Sequence, residues 1–439
     1  MEQRHVIKSQ AYMPSASSVI EGFVNIDKTV GRNTEFLFDF GGSDVEIEIK
    51  APNGTKFDTS SDIVSHNDDF GIYKFSVPET AQAGRWLYSV NNTEKMKQRV
   101  AVTVSSQAKT KTVPPIVVQA YWSSRQVVLA VPGKDSDRQA LYVSVSQGYA
   151  AVLNAEVIAI VDRPKNADPV QLLVKDNGAG ADAIANDGIY STYFLDFNAE
   201  GRYNVKVLVN GKAETVVNLS TVVGRGAATD PVYQEREAPT GLFERTTSAG
   251  SFELKKFQAG AVVYSPSQVT DLQVVTSNYD ERSISLSWTA PGEQLDMGTA
   301  LRYEICISEN FSELHRNKSC SKVVSEDNLA PNPANTSLSN PKSAGHREGV
   351  TILVPSRGNV HYVLALWTCN SVGLVSEMSN LVTASMRPPI IQPALSLRWI
   401  LAIIGGIICF GFLDIIVVAL CVHCCHRQEP GKSTENNVV

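Results

Sequence analysis

Along most of the chain, apolar and polar residues alternate with a period of two, in short runs cut by turn residues. That period puts successive side chains on opposite faces of a strand. From Val19 the runs VIEGFVNID, TEFLFDF, VEIEIK, GIYKFSVP, GRWLYSVNN and QRVAVTVSS follow one another, and Pro52-Asn53-Gly54 marks a turn between two of them. No segment here carries a 3.6-residue apolar stripe. The pattern predicts a β-sandwich over residues 19–106, preceded by a polar connector, 1–18.

Residues 107–115 (QAKTKTVPP) read as a linker. A second set of strands (IVVQAYWSS, ALYVSVSQG, AEVIAIVDRP, VQLLVKD, GIYSTYFLDF, GRYNVKVLVN, AETVVNLS) predicts a second sandwich over 116–221. The two sets share a signature. Gly71-Ile72-Tyr73 is followed thirteen residues later by Gly84-Arg85-Trp86, and Gly188-Ile189-Tyr190 thirteen later by Gly201-Arg202-Tyr203. Each pair reads as a hairpin, in two related immunoglobulin-like modules.

Residues 222–267 are rich in Gly, Ala, Pro and charge and read as a linker or extension. A fibronectin type III-like module follows at 268–386. Trp288 sits in its strand with Ile284 and Leu286. Tyr303, Ile305 and Ile307 share one strand face, as do Tyr362, Leu364 and Leu366. Its polar segment 309–347 reads as an exposed insertion outside the core. A Pro-rich stalk, 387–398, leads to the apolar run 399–422, which holds one charge, Asp414. As a helix the run would span about 36 Å, against a hydrocarbon core of ~30 Å. Asp414 costs ~2.5–3.5 kcal/mol near a helix centre, less than the surrounding Leu, Ile, Phe and Val contribute together. The expected fold is all-β: tandem immunoglobulin-like and fibronectin type III-like sandwiches, then a single transmembrane α-helix and a cytoplasmic tail, 423–439. Asp414 is the candidate contact to another helix in the bilayer.

Lys and Arg flank the run equally, so charge leaves its orientation open. Six N-x-[ST] sequons, at Asn53, Asn91, Asn218, Asn310, Asn317 and Asn335, all precede the run and point to a glycosylated extracellular body. The expected placement is the plasma membrane, single-pass, with the body outside. The first residues, MEQRHVIKSQAYMPSASS, lack the apolar core of a signal peptide, an expectation at odds with an exported body unless the chain is incomplete.

Composition changes this picture little. A net charge of −6, with no long basic tract or Cys/His cluster, excludes nucleic acid as a partner. Of seven cysteines, Cys306, Cys320 and Cys369 precede the apolar run. A turn near Glu313 would bring Cys306 to Cys320, the favoured disulfide. Cys421, Cys424 and Cys425 follow the run's end, and Cys424 and Cys425 are candidate palmitoylation sites. Adjacent ligands in HCCH, 423–426, cannot all face one zinc ion.

Catalytic patterns are absent from the sequence: no H-E-x-x-H, G-x-S-x-G or Walker A run occurs. One polar constellation stands out, DNGAGADAIANDG at 176–188. Asp176, Asp182, Asn186 and Asp187 on a Gly-rich loop form a candidate Ca²⁺ site, because hard cations take oxygen ligands. The alternative is that they cap tight turns. The EF-hand spacing and its closing Glu are absent.

Several stretches together resemble the calcium-activated chloride channel regulator family: VPPIVVQA (113–120), DNGAGADAIANDGIYSTYF (176–194), GRYNVKV (201–207), FERTTSAGSFEL (243–254), PSQVTDLQV (266–274) and LSWTAPGEQLDMGTALRYEICIS (286–308). The resemblance covers roughly residues 20–386. It implies the C-terminal half of proteins that begin with a signal peptide, a zinc metallohydrolase domain and a von Willebrand factor A domain, cleave themselves, and raise calcium-activated chloride currents by acting on a separate channel. This sequence contains neither H-E-x-x-H nor D-x-S-x-S, so self-cleavage and adhesion-site metal binding are not carried over. The leading expectation is a membrane-anchored, non-enzymatic regulatory ectodomain whose partners are a calcium-activated chloride channel, or another membrane protein, and the lipid bilayer. The alternatives are a truncated self-cleaving metalloprotease and a cell-adhesion receptor. One helix with one Asp makes a poor pore.

Overall fold

Period-two alternation appears in the computed structural model as an all-β protein. The structure describes residues 3–40, 45–67, 69–93, 95–129, 138–222, 233–257, 259–260, 264–316, 320, 322–331, 337–354 and 359–388. Nine strands come first: β1 (Arg4–Tyr12), β2 (Val19–Ile26), β3 (Val30–Phe40), β4 (Val45–Lys50), β5 (Lys56–Asp58), β6 (Val64–Asn67), β7 (Ile72–Ser76), β8 (Gly84–Asn92) and β9 (Val100–Ala108). They form two sheets, β1-β9-β3-β7-β6 and β2-β8-β4-β5. Alternate residues of β3, β8 and β9 point inward, so Phe36, Phe38, Trp86, Tyr88, Val102 and Val104 share one core. Phe38 meets Tyr88 across the sheets edge-on, with ring centroids 6.0 Å apart, the geometry that aromatic quadrupoles favour. Arg4–Tyr12, read from sequence as part of a connector, is instead an edge strand with Ile7 in the core.

Eleven further strands follow: β10 (Ile116–Trp122), β11 (Gln126–Val128), β12 (Ala140–Gln147), β13 (Ala150–Leu153), β14 (Glu156–Asp162), β15 (Val170–Val174), β16 (Ile189–Tyr193), β17 (Gly201–Asn210), β18 (Val216–Val222), β19 (Tyr233–Pro239) and β20 (Glu244–Lys255). One sheet runs β10-β12-β13-β18-β19, with β16 also on β12; the other runs β11-β20-β17-β14-β15. Val143, Val157, Phe194, Tyr203, Val207 and Phe252 belong to their common core.

Two sequence expectations are corrected here. Residues 233–239 and 244–255 fall in the expected linker, yet both are strands, and β20 pairs with β17 along ten register positions. Phe243, Phe252 and Leu254 are buried. The polar residues that disguised β20, Glu244 and Arg245, are buried too, against the first set of strands. The shared signature is also not a hairpin. β7 and β8 lie in different sheets, as do β16 and β17. The thirteen-residue spacing is that of a crossing between layers.

The remaining strands are β21 (Gln273–Asn278), β22 (Ser283–Thr289), β23 (Arg302–Ser308), β24 (Arg347–Leu353), β25 (Val360–Cys369) and β26 (Val382–Met386), in sheets β21-β22-β24 and β23-β25-β26. Trp288, Ile305, Leu364 and Leu366 are buried between them. The segment 309–347 is not wholly outside the core: Leu314, Val324 and Leu338 are buried. Leu314 lies on a short helix, α1 (Phe311–His315), capped by the Asn310 side chain.

Residues Met1–Met386 form one compact unit. The single-pass plasma-membrane placement is corrected. Among the described residues no helix is long and apolar enough to cross a membrane. With five residues, α1 rises only about 7.5 Å. The run 399–422 with Asp414, and Cys424 and Cys425, lie outside the described residues.

Candidate functional site

β15 ends beside Lys175, and the chain then makes the loop 176–188 before β16. Asp176, Asp182 and Asp187 come together there, with one carboxylate oxygen from each within 4.8 Å of the others. The backbone builds this cluster. Gly178, Gly180 and Gly188 hold φ of +68°, +67° and +80°, and Asn186 holds +62°, a region that Gly and Asn tolerate. The two Asp176 oxygens accept from Asp187 N (3.3 Å) and Gly188 N (3.0 Å). Asp182 accepts from Gly178 N at 2.6 Å, and Asp187 from Ile189 N at 2.8 Å. Asn186 lends its backbone N–H to Asp176. Thr270 Oγ1 donates to Gly178 O at 2.7 Å, tying the loop to the chain before β21.

Burial pushes the Asp176 carboxyl above its ordinary value, with the charge of Asp187 adding to the effect. Asp182 shifts the same way, first through burial and then through Asp176 and Asp187. Backbone N–H groups oppose both shifts without cancelling them. The donors are all oxygen, so they fit a hard divalent cation, and the cluster's own repulsion is what such a cation would relieve.

Next to this loop lies a cleft of about 290 Å³ whose wall includes Lys175, Asn177, Gly180, Tyr193, Asp271 and Asp296. Asp296 has its carboxyl pushed up to about 6 by burial, opposed by N–H groups of its own residue and Tyr193 and by the charge of Lys175. Sequence reading overlooked Asp296; a lone Asp in GEQLDMG carries no spacing signal.

A second overlooked cluster joins the first two sets of strands. Arg245 on β20 meets Asp27 at 2.7 Å, their side chains 3% and 2% exposed. The guanidinium also donates to Ile116 O (2.9 Å) and Glu244 O (2.8 Å). Glu244 accepts from Asn25 N and Nδ2 and pairs with Lys8 at 3.3 Å. Burial works against charge on Asp27, but Arg245 and hydrogen bonds from Thr29 outweigh it and hold the carboxyl below its ordinary value. Burial lowers His5, Arg245 lowers it further, and Asp27 works in the opposite direction.

Cys306 and Cys320 form a disulfide with Cα atoms 5.8 Å apart, enclosing α1; such bonds persist in oxidising compartments. Cys369 is buried, its Sγ 3.6 Å from a Glu304 oxygen. Asn53 lies exposed in its turn and Asn310 caps α1. Asn91 on β8 donates to Glu46 at 2.9 Å. On β18, Asn218 keeps a buried Oδ1 that finds no hydrogen-bond partner among the described residues. Asn317 and Asn335 lie outside the described residues.

No protein-family model matches the chain. Among curated proteins, it is 32% identical to human calcium-activated chloride channel regulator 2, over 95% of this chain and 46% of that protein. It is 31% identical to mouse calcium-activated chloride channel regulator 3A-1, over 87% of this chain and 42% of the other. Bovine calcium-activated chloride channel regulator 1 gives 31% over the same shares, 87% and 42%. Among solved structures, the propeptide form of Bacillus licheniformis lipase BlEst2 aligns with 58% of this chain and 43% of its own at 14% identity, with a TM-score of 0.28, too low to assign a shared fold. The chain spans about half the length of the curated relatives it matches. Over that span it belongs to the calcium-activated chloride channel regulator family.

Proposed function

We propose that this chain is a non-enzymatic β-sandwich module that regulates calcium-activated chloride conductance by contact with a channel or another membrane protein. One observation carries the reading: the identity of about 30% to proteins named as such regulators extends over nearly the whole chain. The layered sheets offer broad surfaces, and the sequence holds no H-E-x-x-H run for hydrolysis. The test is whole-cell recording of calcium-activated chloride current with the purified chain applied or expressed. The expected result is a changed current at fixed calcium. An unchanged current, with the chain folded by circular dichroism, defeats the reading. Hydrolysis of the chain on adding zinc would instead favour a protease, and cell binding without a current change an adhesion receptor.

The loop 176–188 is proposed as a Ca²⁺ site through Asp176, Asp182 and Asp187, the observation being three clustered carboxylates with two of them shifted up. Calorimetric titration with Ca²⁺ is expected to give a saturable heat that Asp182→Asn abolishes; equal heats in both proteins would leave turn capping as the loop's role.

A further inference from the structure

The cleft beside the acidic loop has a construction that neither chloride regulation nor Ca²⁺ binding uses. Lys175 and Asp296 line the same cleft. They feel each other's charge, yet among the described residues no ion pair closes between them. Each charged head rests on a glycine. A Cβ on Gly180 would come 2.7 Å from Asp296 Oδ2, and one on Gly345 would come 2.9 Å from Lys175 Nζ. Any other residue at either position would push the head out of place.

The strand-like loop around Asp296 is held firmly. Leu295 N donates to Ser265 O at 2.9 Å, Ser267 N and Gly292 N donate to Leu295 O at 3.0 and 2.8 Å, and Met297 N donates to Gln294 O at 3.0 Å. Leu295 is fully buried at a φ of +52°. A branched side chain in that region is strained and persists only where its surroundings over-determine it. The loop therefore presents the Asp296 carboxylate in one place. The wall is mixed: Leu172, Pro291 and Met297 supply apolar surface beside polar groups such as Asn177 and Thr289. The volume, about 290 Å³, lies at the small end of ligand pockets.

We propose that this cleft binds a small zwitterion of the α-amino-acid class, its ammonium on Asp296, its carboxylate on Lys175 and its side chain on the apolar part of the wall. A simple anion would leave Asp296 repelling it, and a neutral sugar would leave both charges unmatched. The zwitterion satisfies both at once, at a separation that the two protein groups do not bridge themselves.

The experiment is calorimetric titration of the full chain, in chelator, with L-leucine, leucinamide and N-acetyl-leucine. L-leucine is expected to bind saturably, and each blocked form to bind at least about ten-fold more weakly. Lys175→Met and Asp296→Asn are each expected to weaken L-leucine about ten-fold or more. Lys175 is exposed, so its variant reads out the site without endangering the fold. Absence of a saturable leucine heat, equal binding of the three compounds, or unchanged affinity in Lys175→Met overturns the proposal.

Discussion

The first and second sets of strands solve one problem with the same parts in a different order. Each has a strand that opens on Ile-Tyr just after a glycine and a strand in the other sheet that opens on Gly-Arg-aromatic. Gly71 O accepts from Phe40 N at 3.0 Å, and Gly188 O accepts from Val145 N at 2.9 Å. Gly84 and Gly201 hold φ of +138° and +136°, each against a proline, Pro52 and Pro164. Trp86 Nε1 donates back four residues to Gln82 O at 2.9 Å, and Tyr203 Oη to Ala199 O at 2.7 Å. By sheet neighbours, β3, β4, β7 and β8 correspond to β12, β14, β16 and β17. The ends do not follow suit. The neighbour of β8 is β2, early in its set, whereas the matching neighbour of β17 is β20, the last of its set. The neighbour of β3 is β9, last in its set, and that of β12 is β10, first in its set. A sandwich specifies which strands must be adjacent, and the order in which the chain supplies its edge strands is free to rotate.

The correspondence breaks most sharply if the two aromatics are unequal. Trp86→Ala and Tyr203→Ala are each expected to lose about 3–5 kcal/mol in urea unfolding, the usual cost of emptying a large aromatic site. A loss under about 1 kcal/mol at either one would show that its corner does not support its sandwich. Arg245→Met strands Asp27 in the joint between the sets and is expected to cost about 3–5 kcal/mol. The double variant Arg245→Met/Asp27→Leu should recover most of that, and no recovery would mean that the pair is not what joins them.

A finer distinction is chemical. Tyr203 Oη accepts from Asn198 N and Ala199 N as well as donating, while Trp86 Nε1 only donates. Tyr203→Phe is therefore expected to cost about 1–3 kcal/mol, for buried groups left unmatched, and Trp86→Phe less on the hydrogen-bond account. Denaturant midpoints at constant slope would reveal a reversed order.

The smallest effect has opposite signs in the two sets. Asp27 is held below its unfolded value, so its stabilisation is present above that value and fades as pH falls through the lower folded one. Asp176 and Asp182 are held above theirs, so their contribution is full below the unfolded value and fades as pH rises through the folded one. In chelator, Asp27→Asn should therefore flatten the acid limb of a melting-temperature profile, and Asp176→Asn the limb just above it. Matching slopes for both variants would erase the contrast.

Strand existence was legible because Val, Ile, Phe and Tyr alternate with polar residues throughout β3, β8, β14 and β17. What escaped reading depended on partners distant in sequence. β20 looked solvated because nothing local announces that Asp27 will meet Arg245. The Gly-Ile-Tyr spacing is compatible with a hairpin or a crossing, and only pairing to β3 or β12 decides between them. The acidic loop was legible in its carboxylates, through composition within thirteen residues. Asp296 was not, since its position against Gly180 comes from the packing of separate strands.

The Arg245–Asp27 contact closes a separation of 218 residues, and that distance is also an interval of synthesis. The first set of strands has its own core and can collapse once β9 has emerged. Its Asp27 then waits for a counter-charge until Arg245 on β20 is made, roughly 7–27 s later at ordinary translation rates of about 5–20 residues per second. During that interval the nascent chain carries a carboxylate without its guanidinium. The joint between the sets therefore reaches full strength only after β20 is made, and a chain interrupted before residue 245 lacks the guanidinium that Asp27 pairs with.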